Sequence, residues 1–96
     1  MPKLTLRPLA KKDIKKIWQY SYENWGKPQA DKYTSDLGLG IQALVSNPEK
    51  GKSVDFVRMG YWQLNVQKHY VMYRLKDNEI EIVRILGKRM DITRHI

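Results

Sequence analysis

Residues 60–96 read GYWQLNVQKHYVMYRLKDNEIEIVRILGKRMDITRHI, and the fold turns on how this stretch pairs with itself. Three runs rich in β-branched and aromatic residues, Tyr61 to Val66, His69 to Leu75 and Glu79 to Leu86, are separated by turn-length breaks and predict an antiparallel meander. Asp77-Asn78 suits a two-residue hairpin turn, because both residue types tolerate the left-handed region. That turn aligns Leu75 with Ile80, Arg74 with Glu81, Tyr73 with Ile82 and Met72 with Val83. The Arg74–Glu81 pairing of opposite charges supports the register. One face then carries Val71, Tyr73, Leu75, Ile80, Ile82 and Leu86 with Arg84 among them, and the other carries Tyr70, Met72, Val83 and Ile85. A sheet covered on one side alternates apolar and polar residues. Here both faces are apolar, so each is expected to have something packed on it.

Working outward, Leu4 and Leu6 alternate with Lys3, Thr5 and Arg7, the period-two mark of a short strand, expected at a sheet edge. Pro8 breaks that ladder. Ala10, Ile14, Ile17, Trp18, Ser21, Tyr22 and Trp25 then recur at three- and four-residue steps, an amphipathic helix with Lys11, Lys12, Lys15, Lys16, Gln19 and Glu23 on its other face. Gly26 is its C-terminal stop. Pro28 fits the first turn of a second helix, striped by Ala30, Tyr33, Leu37, Ile41, Leu44 and Val45. The short break makes the two helices antiparallel neighbours. Gly38 and Gly40 each cost about 1 kcal/mol relative to alanine in a helix, which predicts close approach of the first helix or of the sheet. Asn47-Pro48 ends the second helix. Glu49 to Met59 reads as a polar connector anchored by Phe56 and Val57. The expected architecture is α+β in a single domain, residues 1–96: a short N-terminal strand, an antiparallel helical hairpin, a three-stranded antiparallel meander and a short basic C-terminal tail.

Composition narrows the function. A chain of 96 residues offers one core. It has no cysteine, so neither a disulfide framework nor a thiolate site is available, and its two separated histidines lack metal-ligand spacing. No segment approaches membrane-spanning length and the amino terminus lacks an apolar signal run; a soluble, cytoplasmic protein without cofactor or metal is expected. With 18 Lys and Arg against 10 Asp and Glu, the net charge of +8 predicts attraction to polyanions or to an acidic protein. Gly51-Lys52-Ser53 looks like the end of a phosphate-binding loop, but Ser46 stands where the motif needs its first glycine and no strand precedes it, which excludes a nucleotide site of that type.

Candidate chemistry is sparse. His69 at a strand start and His95 in the tail sit in no nucleophile–base motif, and the scattered carboxylates form no acid/base pair. The cationic cluster Arg84, Lys88, Arg89 and Arg94 could stabilise a phosphorane, grip a phosphate backbone, or meet an acidic protein surface.

Taken together, His69-Tyr70-Val71-Met72-Tyr73-Arg74, Ile80 to Leu86, Met90-Asp91, Arg58 with Gly60-Tyr61, Ile17-Trp18, Trp25-Gly26, Asn47-Pro48, Gly51 and Asp55 resemble the ParE toxins of bacterial toxin–antitoxin modules over nearly the whole chain. The resemblance implies the fold shared with RelE toxins, a neutralising ParD-type antitoxin, and inhibition of DNA gyrase that leaves it trapped on broken DNA, with no catalytic residue of its own. The expected antitoxin contact is the spare apolar sheet face, Val71, Tyr73, Leu75, Ile80 and Ile82. The expected target contact is the basic tail with its neighbour: Arg84, Lys88, Arg89, Met90, Asp91, Arg94, His95 and an exposed Ile96. Arg84 has a structural alternative, a buried charge that must be paired, and the tail has one too, a short helix capping the sheet. Two other readings stand beside this one. Gly87-Lys88-Arg89 looks like the Gly-Lys-Arg of the RelE-type mRNA endonucleases, whereas ParE toxins often carry histidine at the position of Gly87. Those nucleases, however, place lysines in the strand held here by Trp62, Gln63 and Leu64, an arginine where Val71 stands, and a tyrosine after the Gly-Lys-Arg. The third reading is a basic nucleic-acid-binding module.

Overall fold

The computed structural model describes residues 2–96. β1 (Lys3–Leu6) leads into α1 (Pro8–Trp25) and α2 (Lys27–Ser46), followed by β2 (Lys52–Ser53), β3 (Tyr61–Val66), β4 (His69–Lys76), β5 (Glu79–Gly87) and a 3-10 turn at Ile92–Arg94. The sheet has five strands in the order β1-β5-β4-β3-β2. The meander is present as β3, β4 and β5. Around it the sheet is mixed: β1 lies at one edge and pairs in parallel with β5, Lys3 opposite Glu79 through Leu6 opposite Ile82, while the two-residue β2 closes the other edge against β3.

Pro8 opens α1 where a missing N–H costs no helical bond. Gly26 then serves both helices at once: at φ +89, a backbone region costly for residues with a Cβ, its N–H bonds the Tyr22 carbonyl and its carbonyl accepts from Ala30 N–H. One residue therefore turns the chain back on itself. The hairpin lays Ala10, Tyr33, Leu37, Ile41 and Leu44 on Leu64, Val71, Tyr73, Ile80, Ile82 and Ile85 as the main core, with Ile14 and Ile17 packed against it. Fully burying an aliphatic side chain of this kind stabilises by about 1.5–3 kcal/mol.

The β4–β5 register follows the expected pairs at Leu75–Ile80, Arg74–Glu81 and Tyr73–Ile82, with Asp77 at φ +51 in the turn. Beyond them a bulge intervenes, and Met72 pairs with Arg84 rather than with Val83. The extra residue reverses the phase of β5. Ile85 consequently joins the helix side and Leu86 the opposite side, the reverse of the sequence-based assignment.

That opposite side is a second small core of Val54, Tyr61, Met72, Val83 and Leu86, with Val57, Tyr70, Ile92 and Ile96 packed on it. Its cover is the chain's own connector and tail. In the connector Val54 is the buried anchor and Val57 assists, whereas Phe56 is 85% exposed and anchors nothing. Gly40 is explained by close approach to the sheet, since a Cβ there would stand 2.9 Å from Val66; at Gly38 a Cβ would meet nothing within 4 Å.

Candidate functional site

Two expected contacts are corrected by this packing. The face carrying Val71, Tyr73, Leu75, Ile80 and Ile82 was expected to be open to an antitoxin, yet Val71, Tyr73, Ile80 and Ile82 are fully buried beneath α1 and α2, and Leu75 is half-buried beside them. The helical hairpin chose the side where Tyr33, Leu37, Ile41 and Leu44 interlock with these residues, and the connector and tail closed the other. No free apolar sheet face remains among the described residues.

The second correction concerns Arg84. Its Nε and Nη2 donate to the two carboxylate oxygens of Asp13 at 2.8 and 3.0 Å, both side chains being only 15% and 11% exposed. One Asp13 oxygen also accepts from Ile85 N–H at 2.9 Å. β1 pairs only as far as Ile82, so beyond it Asp13 of α1 takes the place of a neighbouring strand and anchors the bulged half of β5. The Asp13 hydrogen bonds raise the Arg84 pKa further above its ordinary value. Arg84 is thus a paired structural charge and not a free target contact.

The tail lies against the sheet as a short cap. Ile92 and Ile96 pack on the second core, so Ile96 is half-buried rather than exposed, and His95 is half-buried beside it. Asp91 caps the 3-10 turn by accepting from Thr93 N–H and Thr93 hydroxyl, which holds its carboxyl below the usual range. Met90 accepts from Gly87 N–H through Sδ at 3.3 Å and is 40% exposed. Lys88, Arg89 and Arg94 are exposed, and the Lys88 ammonium stands 5.6 Å from the Tyr70 ring centroid.

What residue-by-residue reading missed is an open groove of about 1330 Å³ between the hairpin tip and the sheet end, bounded by α1, the start of α2, the β3–β4 turn and the end of β5. Tyr20 and Trp25, 63% and 58% exposed, form its aromatic wall, with their rings in an edge-on contact. Lys16, Lys68, Lys88 and Arg89 form its rim, and no described Asp or Glu lines it. Trp25 belonged to the stripe assigned to the core; its exposure comes from its position at the last residue of α1, past the sheet edge. At the bottom the Tyr33 hydroxyl meets His69 Nδ1 and accepts from Lys68 N–H at 3.2 Å. Burial pushes the His69 pKa below its ordinary value, the charge of Asp13 opposes this and Lys68 adds to it. The groove can take an elongated segment with apolar anchors and negative charge. Among the described residues no group of His, Cys, Asp and Glu could hold a metal ion, and no helix is long and apolar enough to cross a membrane.

Comparison with known proteins places this geometry. Toxin ParE1 of Mycobacterium tuberculosis is 35% identical over 92 residues, covering 95% of this chain and 94% of that protein. Toxin ParE1 of Caulobacter vibrioides is 33% identical over 87 residues, covering 91% and 90%. Among solved structures, one of a chromosomal ParDE TA system from P. aeruginosa superposes with a TM-score of 0.79 at 25% identity, over 91% of this chain and 96% of that one. A YoeB/ParE toxin from Agrobacterium tumefaciens shares the fold at a TM-score of 0.62 and 16% identity, over 88% and 96%. The family model for the ParE toxin of the type II toxin-antitoxin system, parDE, matches residues 4–92. The chain belongs to the ParE toxin family of type II toxin–antitoxin systems.

Proposed function

We propose that this protein is the toxin of a type II pair that inhibits DNA gyrase by attachment, without a reaction of its own, and that a ParD-type antitoxin neutralises it by seating a segment in the groove between the hairpin tip and the end of β5. The observation that carries the reading is the family match over residues 4–92. The groove gives it a physical form: a basic rim complements an acidic partner, and exposed Tyr20 and Trp25 are the residue types that anchor interfaces. Lys88 and Arg89, proposed for target contact, lie on that rim, so a segment seated there covers them. Neutralisation then works by occlusion. Action by binding is supported by the strand in which RelE-type nucleases carry lysines. Here Trp62 and Leu64 of that strand turn under the helices.

The experiment is a purified-component test of Lys88→Glu/Arg89→Glu beside the parent chain. Both positions are exposed, so the double variant is expected to fold with an unchanged melting temperature and to lose most of its effect on gyrase. Full inhibition by the folded variant removes the rim from target contact, and transcript cleavage on ribosomes by the parent chain replaces the binding mechanism with a nuclease.

A further inference from the structure

A second concavity, distinct from the groove, lies where the start of α1, the loop before β3, the middle of β5 and the tail converge. Its volume is about 410 Å³, within the roughly 300–1,000 Å³ of small-molecule sites. Arg7, Arg58, Arg84, Arg94 and His95 line it around Tyr61, and no described carboxylate side chain does. Two of the arginines are tethered to acids that do not line the cavity: Arg84 to Asp13, and Arg7 to Glu81 at 3.0 Å. The Arg84 fork is fixed by two hydrogen bonds and has donors left over, because a guanidinium has five N–H groups and only Nε and Nη2 are committed to Asp13, whereas Arg7 is held to Glu81 by a charge contact alone. Of the other two, only Arg58 has no acidic partner among the described residues, and Arg94 has a distant one. Arg58 lies over the Tyr61 ring, 5.3 Å from its centroid, and makes no ion pair among the described residues. Arg94 reaches Asp91 only at 3.7 Å and is 82% exposed.

Four arginines line one hollow and outnumber the acids paired with them, Asp13, Glu81 and Asp91, so a net positive field remains, and a concave, partly apolar wall focuses it. An anion complements that field. Planar forks match the oxygens of a phosphate in pairs, which a carboxylate-sized or spherical anion does not exploit across four arginines. The Tyr61 ring is no stacking platform, since it is 3% exposed and held between Arg58 and Arg74 at 5.3 and 5.6 Å. Recognition is therefore directed at phosphate and not at a base. We propose that this cavity is a phosphate-binding site, taking either the phosphate of a free nucleotide or a backbone phosphate of a nucleic-acid strand. The proposal goes beyond the gyrase reading and does not depend on it.

The test is fluorescence anisotropy and calorimetry on the full chain, with no other protein present. The probes are a labelled single-stranded 12-mer and adenosine monophosphate, each with inorganic phosphate as competitor. The expected result is saturable binding of at least one probe, competed by phosphate, and weakened at least 10-fold in Arg58→Ala/Arg94→Ala with an unchanged melting temperature. Arg94→Glu alone, at an exposed position, gives the same direction should the double variant fail to fold. The control Lys12→Ala/Lys15→Ala removes the same charge from the exposed face of α1 and is expected to weaken binding less than 2-fold. Binding of the mononucleotide assigns a free phosphate ester as ligand; binding of the 12-mer alone assigns a strand. Equal losses in the arginine and lysine variants reduce the effect to net charge and overturn the site, as does the absence of binding by either probe.

Discussion

Asp13 and Arg84, 71 residues apart, form a two-point fork at 2.8 and 3.0 Å that fastens α1 to the bulged half of β5. The same carboxylate satisfies the Ile85 N–H that β1 is too short to reach. Asp13→Ala leaves a guanidinium only 15% exposed without its partner and the Ile85 amide unpaired. The expected loss is about 3–5 kcal/mol, read by urea denaturation. In Asp13→Leu/Arg84→Met the stranded charge is absent, and part of that loss is expected to return, the Ile85 amide retaining a cost of about 1–3 kcal/mol.

Three glycines separate by what surrounds them. Gly38→Ala is expected to stabilise by about 0.5–1 kcal/mol, because the site is exposed helix with open space around the new methyl group. Gly51→Ala would place its Cβ 2.6 Å from the Gln63 carbonyl oxygen and 2.6 Å from the Tyr73 hydroxyl. That hydroxyl accepts from Gly51 N–H and donates to the Pro48 carbonyl, so the substitution is expected to cost about 1–3 kcal/mol or more. Gly40→Ala falls between, as the stiff Val66 side chain must give way. Thermal melts rank the three.

The half-buried imidazole of His69 in the groove sets a pH dependence. With its folded-state pKa below the ordinary value of 6.5, His69 binds fewer protons in the folded than in the unfolded chain between those two values. Its contribution to stability is complete above about pH 6.5 and declines as pH falls toward the folded pKa. His69→Gln is expected to flatten that part of the stability profile. An unchanged slope in the variant would place the acid sensitivity elsewhere.

The groove's aromatic wall provides a test of antitoxin docking. Trp25→Ala and Tyr20→Ala remove largely exposed rings, so the melting temperature should move little. Antitoxin affinity is expected to fall by about 2 kcal/mol, roughly 30-fold, for either anchor, measured by calorimetry with the antitoxin. Retained affinity in both would move the docking site off the groove.

The two helices and the strands β1, β3, β4 and β5 were legible in the sequence because each rests on local signals: the apolar period of α2, the glycine between the helices and the Arg74–Glu81 pair beside the Asp77 turn; the two-residue β2, inside the stretch read as a polar connector, was not. What sequence reading misplaced depends on partners far along the chain. The bulge at Val83 is stabilised by Asp13, and its signal was a lone acid at the i+3 position from Ala10 and the i−4 position from Ile17, inside the apolar stripe. One inserted residue then exchanged Ile85 and Leu86 between faces. Phe56 read as an anchor on hydrophobicity alone, but turns from Val54 to Tyr61 bury the smaller Val54 and aim Phe56 at solvent. The need for two covers was correctly implied by two apolar faces. That the second cover is the chain's own connector and tail required knowing that Ile92 and Ile96 fold back, which the short tail after Gly87 does not reveal.

Attachment to gyrase is tested most directly by incubating the purified chain with gyrase, ATP and relaxed plasmid, without ribosomes or RNA, and resolving the DNA topology after protein denaturation. Loss of supercoiling with accumulation of linear plasmid, reversed by stoichiometric antitoxin, is the predicted result. Unimpaired supercoiling at a large molar excess of folded chain would contradict it.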